Sequence, residues 1–140
     1  MQPLTLDRSS LEAMHAHGRA AHPEECCGGL LGDRGDPARV SRIERIDNVR
    51  DVNRARRYEV SPQDYLRLER LAAENGVELL GFYHSHPDHP AVPSAYDRDH
   101  AFPFFHYLVC AVASGRPGEI TAWVLSEDRG EFDREEIVPE

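Results

Sequence analysis

The sequence predicts an α/β layered fold in a single domain, and three observations predict it. Segments with helix-like and strand-like patterning alternate along the chain, which suits helices packed on a mixed sheet. The 140 residues suffice for one domain with a real core, and no linker, repeat or low-complexity tract offers a boundary within 1–140. Hydrophobic residues make up 40% and aromatics 8%, the composition of a globular chain rather than a disordered one.

Each element has a local signal. Ser9 or Ser10 can cap a first helix running to about Ala21, with Leu11 and Met14 along it. A buried strand follows at Cys26 to Leu31, then a turn at Gly32-Asp33-Arg34-Gly35-Asp36-Pro37. Val40 to Val49 alternates imperfectly and is expected to hold a strand, and Tyr58-Glu59-Val60 a short one. Ser61-Pro62 opens a helix through about Glu74, with Tyr65, Leu66, Leu68 and Leu71 on or near one face. Gly76 stops it. Val77 to His86 reads as the central strand, Ser94 to about Ala101 as a short helix. Tyr107 to Ala113 and Ile120 to Leu125 are two more strands.

The chemistry concentrates where the central strand ends. His84-Ser85-His86 places two imidazoles two residues apart, so a strand points both rings to one face and Ser85 to the other. A proline-punctuated loop (Pro87, Pro90, Pro93) then leads to Ser94-Ala95-Tyr96-Asp97. Two imidazoles and a carboxylate form a three-ligand set of the kind zinc uses in catalytic sites, with the fourth position left to water. Taken alone, an H-x-H pair is more often two ordinary histidines, and Ser94-x-x-Asp97 is also a plain capped helix start. The readings are compatible, because a helix N-terminus is a rigid place from which to aim a carboxylate. Upstream, Glu24 and Glu25 adjoin the glycine-rich strand. Carboxylates are costly there unless paired or functional, although both also fit a solvated turn after the first helix.

Together these residues resemble a known family. Pro23-x-Glu25-x-Cys27-Gly28, His84-Ser85-His86-Pro87 and Ser94-x-x-Asp97 look like the signature of the JAMM (MPN-plus) zinc metalloproteases, in their compact prokaryotic form. The likeness extends through Asp47-Asn48-Val49, Arg57-Tyr58-Glu59-Val60-Ser61-Pro62 and Leu79-Leu80-Gly81-Phe82-Tyr83. It implies deaminase-like α-β-α layers, with a curved mixed sheet flanked by helices. It implies one zinc ion per chain on His84, His86 and Asp97, with Glu25 as general acid/base and Ser94 supporting the oxyanion. The implied reaction is hydrolysis of a peptide or isopeptide bond at the diglycine-type tail of a ubiquitin-like or sulfur-carrier protein. Gly29 departs from the pattern, where a third apolar residue is more usual, and Glu24 beside Glu25 leaves the register of the base open.

Composition bounds the alternatives. A net charge of −9 argues against a nucleic-acid partner, which would ask for a basic face. No window approaches the roughly 18 apolar residues of a membrane span, and no charged-then-apolar leader opens the chain, so a soluble cytoplasmic protein is expected. The three cysteines, Cys26, Cys27 and Cys110, describe no disulfide framework and read as small core residues in a reducing compartment. All 16 basic residues are arginine. Arg50, Arg54, Arg56 and Arg57 read as a solvated loop, with a docking surface for an acidic partner as the other reading. His22, His89, His100 and His106 fall outside the ligand pattern and read as spectators, His89 as part of a surface loop. A zinc amidohydrolase acting on a small molecule is an alternative reading, of which a zinc deaminase is disfavoured by the lack of a Pro-Cys-x-x-Cys pair beside H-x-E. A non-catalytic scaffold of the same fold is disfavoured by the complete ligand set.

Overall fold

In the computed structural model, which describes residues 1–113, 116–127 and 130–140 and only the backbone of Pro117, ten elements follow one another. They are β1 (Pro3–Leu6), α1 (Arg8–Ala21), β2 (Cys27–Asp33), β3 (Ala38–Ile46), α2 (Pro62–Glu74), β4 (Glu78–Pro87), α3 (Ala95–Asp99), β5 (His106–Ala113), β6 (Arg116–Leu125) and β7 (Phe132–Pro139). The strands hydrogen-bond in the order β1-β3-β2-β4-β5-β6-β7, and β7 returns to pair with β1, closing the sheet. Pairing is mixed: β1 runs parallel to β3 and β7, and β4 to β5, while the other neighbours are antiparallel.

Local chemistry explains the helix ends. α1 starts one turn earlier than its serines suggest, because the Asp7 side chain is the cap and accepts from the Ser10 N–H at 3.1 Å. At α2 the Ser61 hydroxyl accepts from the Asp64 N–H at 3.0 Å, and Pro62 begins the helix. Gly76 follows the C-terminus at φ +68°, a left-handed conformation that most side chains resist. Leu68 and Ala72 are buried, whereas Leu66 is 61% exposed and does not join the core face. Tyr58-Glu59-Val60 forms no strand; the segment stays irregular, with Tyr58 and Val60 packed inward and Glu59 exposed. The strand expected over Val40 to Val49 spans Ala38–Ile46. β1 and β7 were not expected at all. One is four residues long, and the other, FDREEIVP, carries charge at half its positions.

The core lies on both faces of this sheet. Leu4, Leu6, Val40, Leu30, Leu80, Tyr83 and Leu108 meet Met14 of α1 on one side. Cys27, Leu31, Ile46, Leu79, Phe82 and Tyr107 meet Leu68 and Ala72 of α2 on the other. Each fully buried leucine contributes about 1.5–3 kcal/mol by leaving water. Cys26 and Cys27 take opposite faces, as neighbours in an extended chain must, and with Cys110 they are buried free thiols. Gly29 makes room for α2, since a Cβ there would lie 2.8 Å from Leu68. The unusual glycine is therefore a packing device.

A β-bulge sets which face carries the chemistry. Leu30 pairs with Gly81 but Leu31 with Leu79, so β4 gains a residue at Leu80. Leu79 and Phe82 consequently face α2, and Leu80 and Tyr83 face α1. The phase set by Phe82 sends His84 and His86 to the α2 side and Ser85 to the α1 side.

Candidate metal centre

His84 and His86 reach the end of β4 almost fully buried, at 1% exposure each. Asp97 comes from the first turn of α3. Ser94 caps this helix by accepting from the Asp97 N–H at 3.0 Å, and its own N–H donates to Asp97 Oδ2 at 2.8 Å. The capping box and the ligand posture are thus one device. It aims Oδ2 at the histidines and leaves the Ser94 hydroxyl proton free to donate.

Three atoms converge. His84 Nε2 and His86 Nε2 are 3.1 Å apart, and each is 3.2 Å from Asp97 Oδ2. His86 Nδ1 donates to the Pro90 carbonyl at 2.8 Å, which in the neutral ring leaves Nε2 a bare lone pair. Three such contacts among two nitrogens and a carboxylate oxygen cannot all be hydrogen bonds. Tetrahedral ligands at about 2.0–2.1 Å from zinc would sit about 3.3 Å from one another. The spacing and donor types fit such an ion.

Burial disfavours a charge on Asp97, but the neighbouring histidines, His84 above all, and the hydrogen bond from the Ser94 N–H outweigh it. Its carboxyl is held well below the usual carboxylate range. His84 differs from His86 in its outer nitrogen, because its buried Nδ1 has no partner among the described residues. Its ring is instead covered by Tyr58, stacked at 4.5 Å and 19°.

Glu25 enters from the extended segment just before β2. Cys27 pairs with His84, and the antiparallel register carries Glu25 opposite His86 on the same face. Its side chain is 2% exposed and Oε1 has no partner among the described residues, whereas Glu24 is exposed. Burial pushes the Glu25 carboxyl up to about 8, with Asp97 adding to the rise and His86 and Arg57 opposing it. A group poised near neutral pH can take a proton and return it.

Two further features were not legible in the sequence. His89, read as a loop spectator, is half-buried and stacks on His86 at 4.1 Å, donating from Nδ1 to the Pro87 carbonyl. It also stands near Glu25 and His86 in a second cluster of metal-ligating side chains. Asn48 ties the arginine-rich segment to Glu25. Its side-chain amide donates to the carbonyls of Glu25 (3.1 Å) and Arg57 (3.0 Å) and accepts from the N–H groups of Arg50 and Glu59. Asp47-Asn48-Val49 was visible as a motif, but nothing in it announced a four-bond hub. His22, His100 and His106 bond elsewhere, to Asp88, the Tyr96 carbonyl and Glu135.

Beside Asp97 lies a cleft of about 660 Å³ lined by Tyr58, Tyr65, Phe82, Phe102 and Tyr107, with Arg50 and Glu59 among its polar groups. The arrangement can hold a divalent cation, place a carboxylate beside it and receive an extended apolar segment next to both.

The chain is also similar to known proteins. The family described as prokaryotic homologs of the JAB domain matches residues 7–126. A desampylase of Haloferax volcanii is 34% identical over 113 residues, covering 77% of this chain and 80% of its own. A solution structure from Desulfitobacterium hafniense superposes with a TM-score of 0.85 at 33% identity, covering 98% of this chain and 92% of that one. A JAB1/MPN domain protein from Archaeoglobus fulgidus, at 17% identity and a TM-score of 0.60, covers 97% of this chain and 98% of its own and shares the fold.

Proposed function

This chain belongs to the prokaryotic JAB-domain family of the JAMM/MPN proteins, and from that premise we propose a zinc-dependent peptidase or isopeptidase. Its substrate is the C-terminal, diglycine-type tail of a ubiquitin-like or sulfur-carrier protein. The observation that carries the reading is the triangle of His84, His86 and Asp97 with the unpartnered Glu25 oxygen beside it. The desampylase relative supports a ubiquitin-like substrate.

His84, His86 and Asp97 would hold the zinc ion, which when bound would supply Lewis acidity toward the scissile carbonyl and lower the pKa of water. Glu25 takes the proton of the attacking water on its buried carboxylate. As the C–N bond breaks, Glu25 delivers that proton to the leaving nitrogen. Ser94 donates its hydroxyl to the carbonyl oxygen as negative charge builds there; loss of such a donor costs about 10²–10³-fold in rate. Tyr58, Phe82 and Tyr107 give the tail an apolar bed and exclude water from one side of the site. The hydrolase reading calls for a buried acid/base, and Glu25 meets it where Glu24 does not.

The test is zinc content by elemental analysis together with cleavage of a diglycine-tailed ubiquitin-like fusion. Wild type is expected to carry about one zinc per chain and to cleave, and His84→Ala/His86→Ala to lose both. Glu25→Gln should keep its zinc and lose at least about 10²–10⁴-fold in turnover, the usual worth of a positioned acid/base. Normal turnover in Glu25→Gln, or no zinc in wild type, would overturn the proposal.

A further inference from the structure

The segment 50–57 carries four arginines and one acid, Asp51, hence +3 in a chain of −9. Elsewhere six arginines pair with carboxylates, as Arg39 does with Glu140 at 3.1 Å and Arg67 with Asp64 at 3.3 Å. Those that do not (Arg8, Arg19, Arg45, Arg70 and Arg116 among the described residues) are scattered along the chain. Here only Arg50 meets a carboxylate, Glu59 at 3.8 Å; Arg54, Arg56 and Arg57 have none within salt-bridge distance among the described residues. Most of their side-chain hydrogen bonds turn back on the segment itself, from Arg50 to the Val52 carbonyl, Arg54 to the Arg50 carbonyl and Arg57 to the Arg56 carbonyl, while Arg50 also donates to the Tyr96 hydroxyl at 3.0 Å. Unmatched positive charge therefore accumulates in one place.

It is also held in place. Asn48 binds the two ends of the segment, and the Arg50 and Arg57 guanidinium groups lie 5.4 and 4.5 Å from the Tyr96 ring, the residue before Asp97. The Arg54 carbonyl accepts from the Glu25 N–H at 2.7 Å. Arg54 and Arg56 are exposed. The result is a cationic rim on a pinned backbone that reaches from the Glu25 N–H to Tyr96 beside Asp97, where Arg50 also lines the aromatic cleft.

We propose that this rim docks an acidic stretch of the protein substrate while the neighbouring tail enters the site. The inference rests on the proposed function for the identity of that neighbour, a tailed protein. Charge complementarity selects the occupant: guanidinium groups without carboxylate partners, gathered on a pinned backbone, gain from an acidic segment. The overall −9 charge repels a phosphate backbone at longer range.

The experiment measures binding of labelled peptides with a central Gly-Gly to the full chain by fluorescence anisotropy. Four glutamates lie before or after the glycines, and each peptide has a glutamine counterpart. One glutamate peptide should bind about tenfold tighter than its counterpart at low salt, and the preference should shrink at about 0.5 M salt. Arg54→Gln/Arg56→Gln should erase it and Arg54→Lys/Arg56→Lys should keep it. Equal affinities for each pair, including no binding of either, would overturn the inference. So would a preference that survives Arg54→Gln/Arg56→Gln, or a single-stranded DNA oligonucleotide bound as tightly as the acidic peptide. Zinc content and fusion cleavage on the same preparations separate the two claims. Intact zinc and cleavage without peptide preference remove the rim alone, and absent zinc removes the proposed function whatever the peptides do.

Discussion

His84 and His86 on one side of β4, and Tyr83 and Ser85 on the other, are all buried, yet the two sides treat their polar atoms in opposite ways. Toward α1, Ser85 Oγ accepts from the Cys26 N–H at 2.8 Å, and the Tyr83 hydroxyl shares a 2.7 Å hydrogen bond with His17. Those groups have found protein partners and are finished. Toward α2, Glu25 Oε1 and His84 Nδ1 have none among the described residues, and three lone-pair-bearing atoms crowd one point. Buried polar groups in folded proteins are nearly always matched. An unmatched set on one face beside a matched set on the other therefore separates a place prepared for a ligand from scaffold. Alternate residues of a single strand serve both ends.

The sharpest test of that contrast is Tyr58, which holds His84 by stacking where His86 is held by a hydrogen bond. Tyr58→Ala should weaken zinc binding by about 10–100-fold, the usual cost of losing a ligand's outer support. Tyr58→Phe should stay near wild type. Competition against a chelator reads both, and an unchanged affinity in Tyr58→Ala would mean that the stack orients nothing.

A smaller effect is expected on the finished side. Ser85→Ala strands the buried Cys26 N–H and should cost about 1–3 kcal/mol in denaturant unfolding while leaving zinc affinity intact. A loss of zinc without loss of stability would reverse the assignment of the two faces.

The smallest effect concerns His17, whose burial, with help from Arg45 and against Asp47, pushes its pKa down to about 4 from 6.5. The unfolded chain binds that proton first, so this contribution to stability is complete above about pH 6.5 and is lost as pH falls toward 4. Thermal melts of wild type and His17→Gln should diverge in slope only within that window. Parallel curves from pH 7 to 4 would show that the Tyr83 contact leaves His17 free to ionise.

Much of the candidate site was legible because its signals are local. A spacing of two put His84 and His86 on one face, and Ser94-x-x-Asp97 announced a capped helix that turned out to aim its own acid. What was hidden required partners distant in sequence. His89 and Tyr58 bear on the candidate site only because they lie flat on the rings of His86 and His84, and stacking has no sequence period. The arginine segment read as solvated, and the hydrogen bonds of Asn48 alone show it to be pinned beside Glu25.

By itself, then, the sequence determined the α/β class, the bounds of α2, the two-faced cysteine pair and the residues that could bind a metal. Each of these depends on the chain's own repeat or on a cap a few residues away. Tertiary structure decided the rest. The bulge at Leu80 chose the face on which the histidines lie, and the β2–β4 register brought Glu25 rather than Glu24 to them. The two end strands closed the sheet although β1 is only four residues long and β7 carries charge at half its positions. Strand pairing joins segments far apart in the chain, and its energy comes from contacts that neither partner encodes alone.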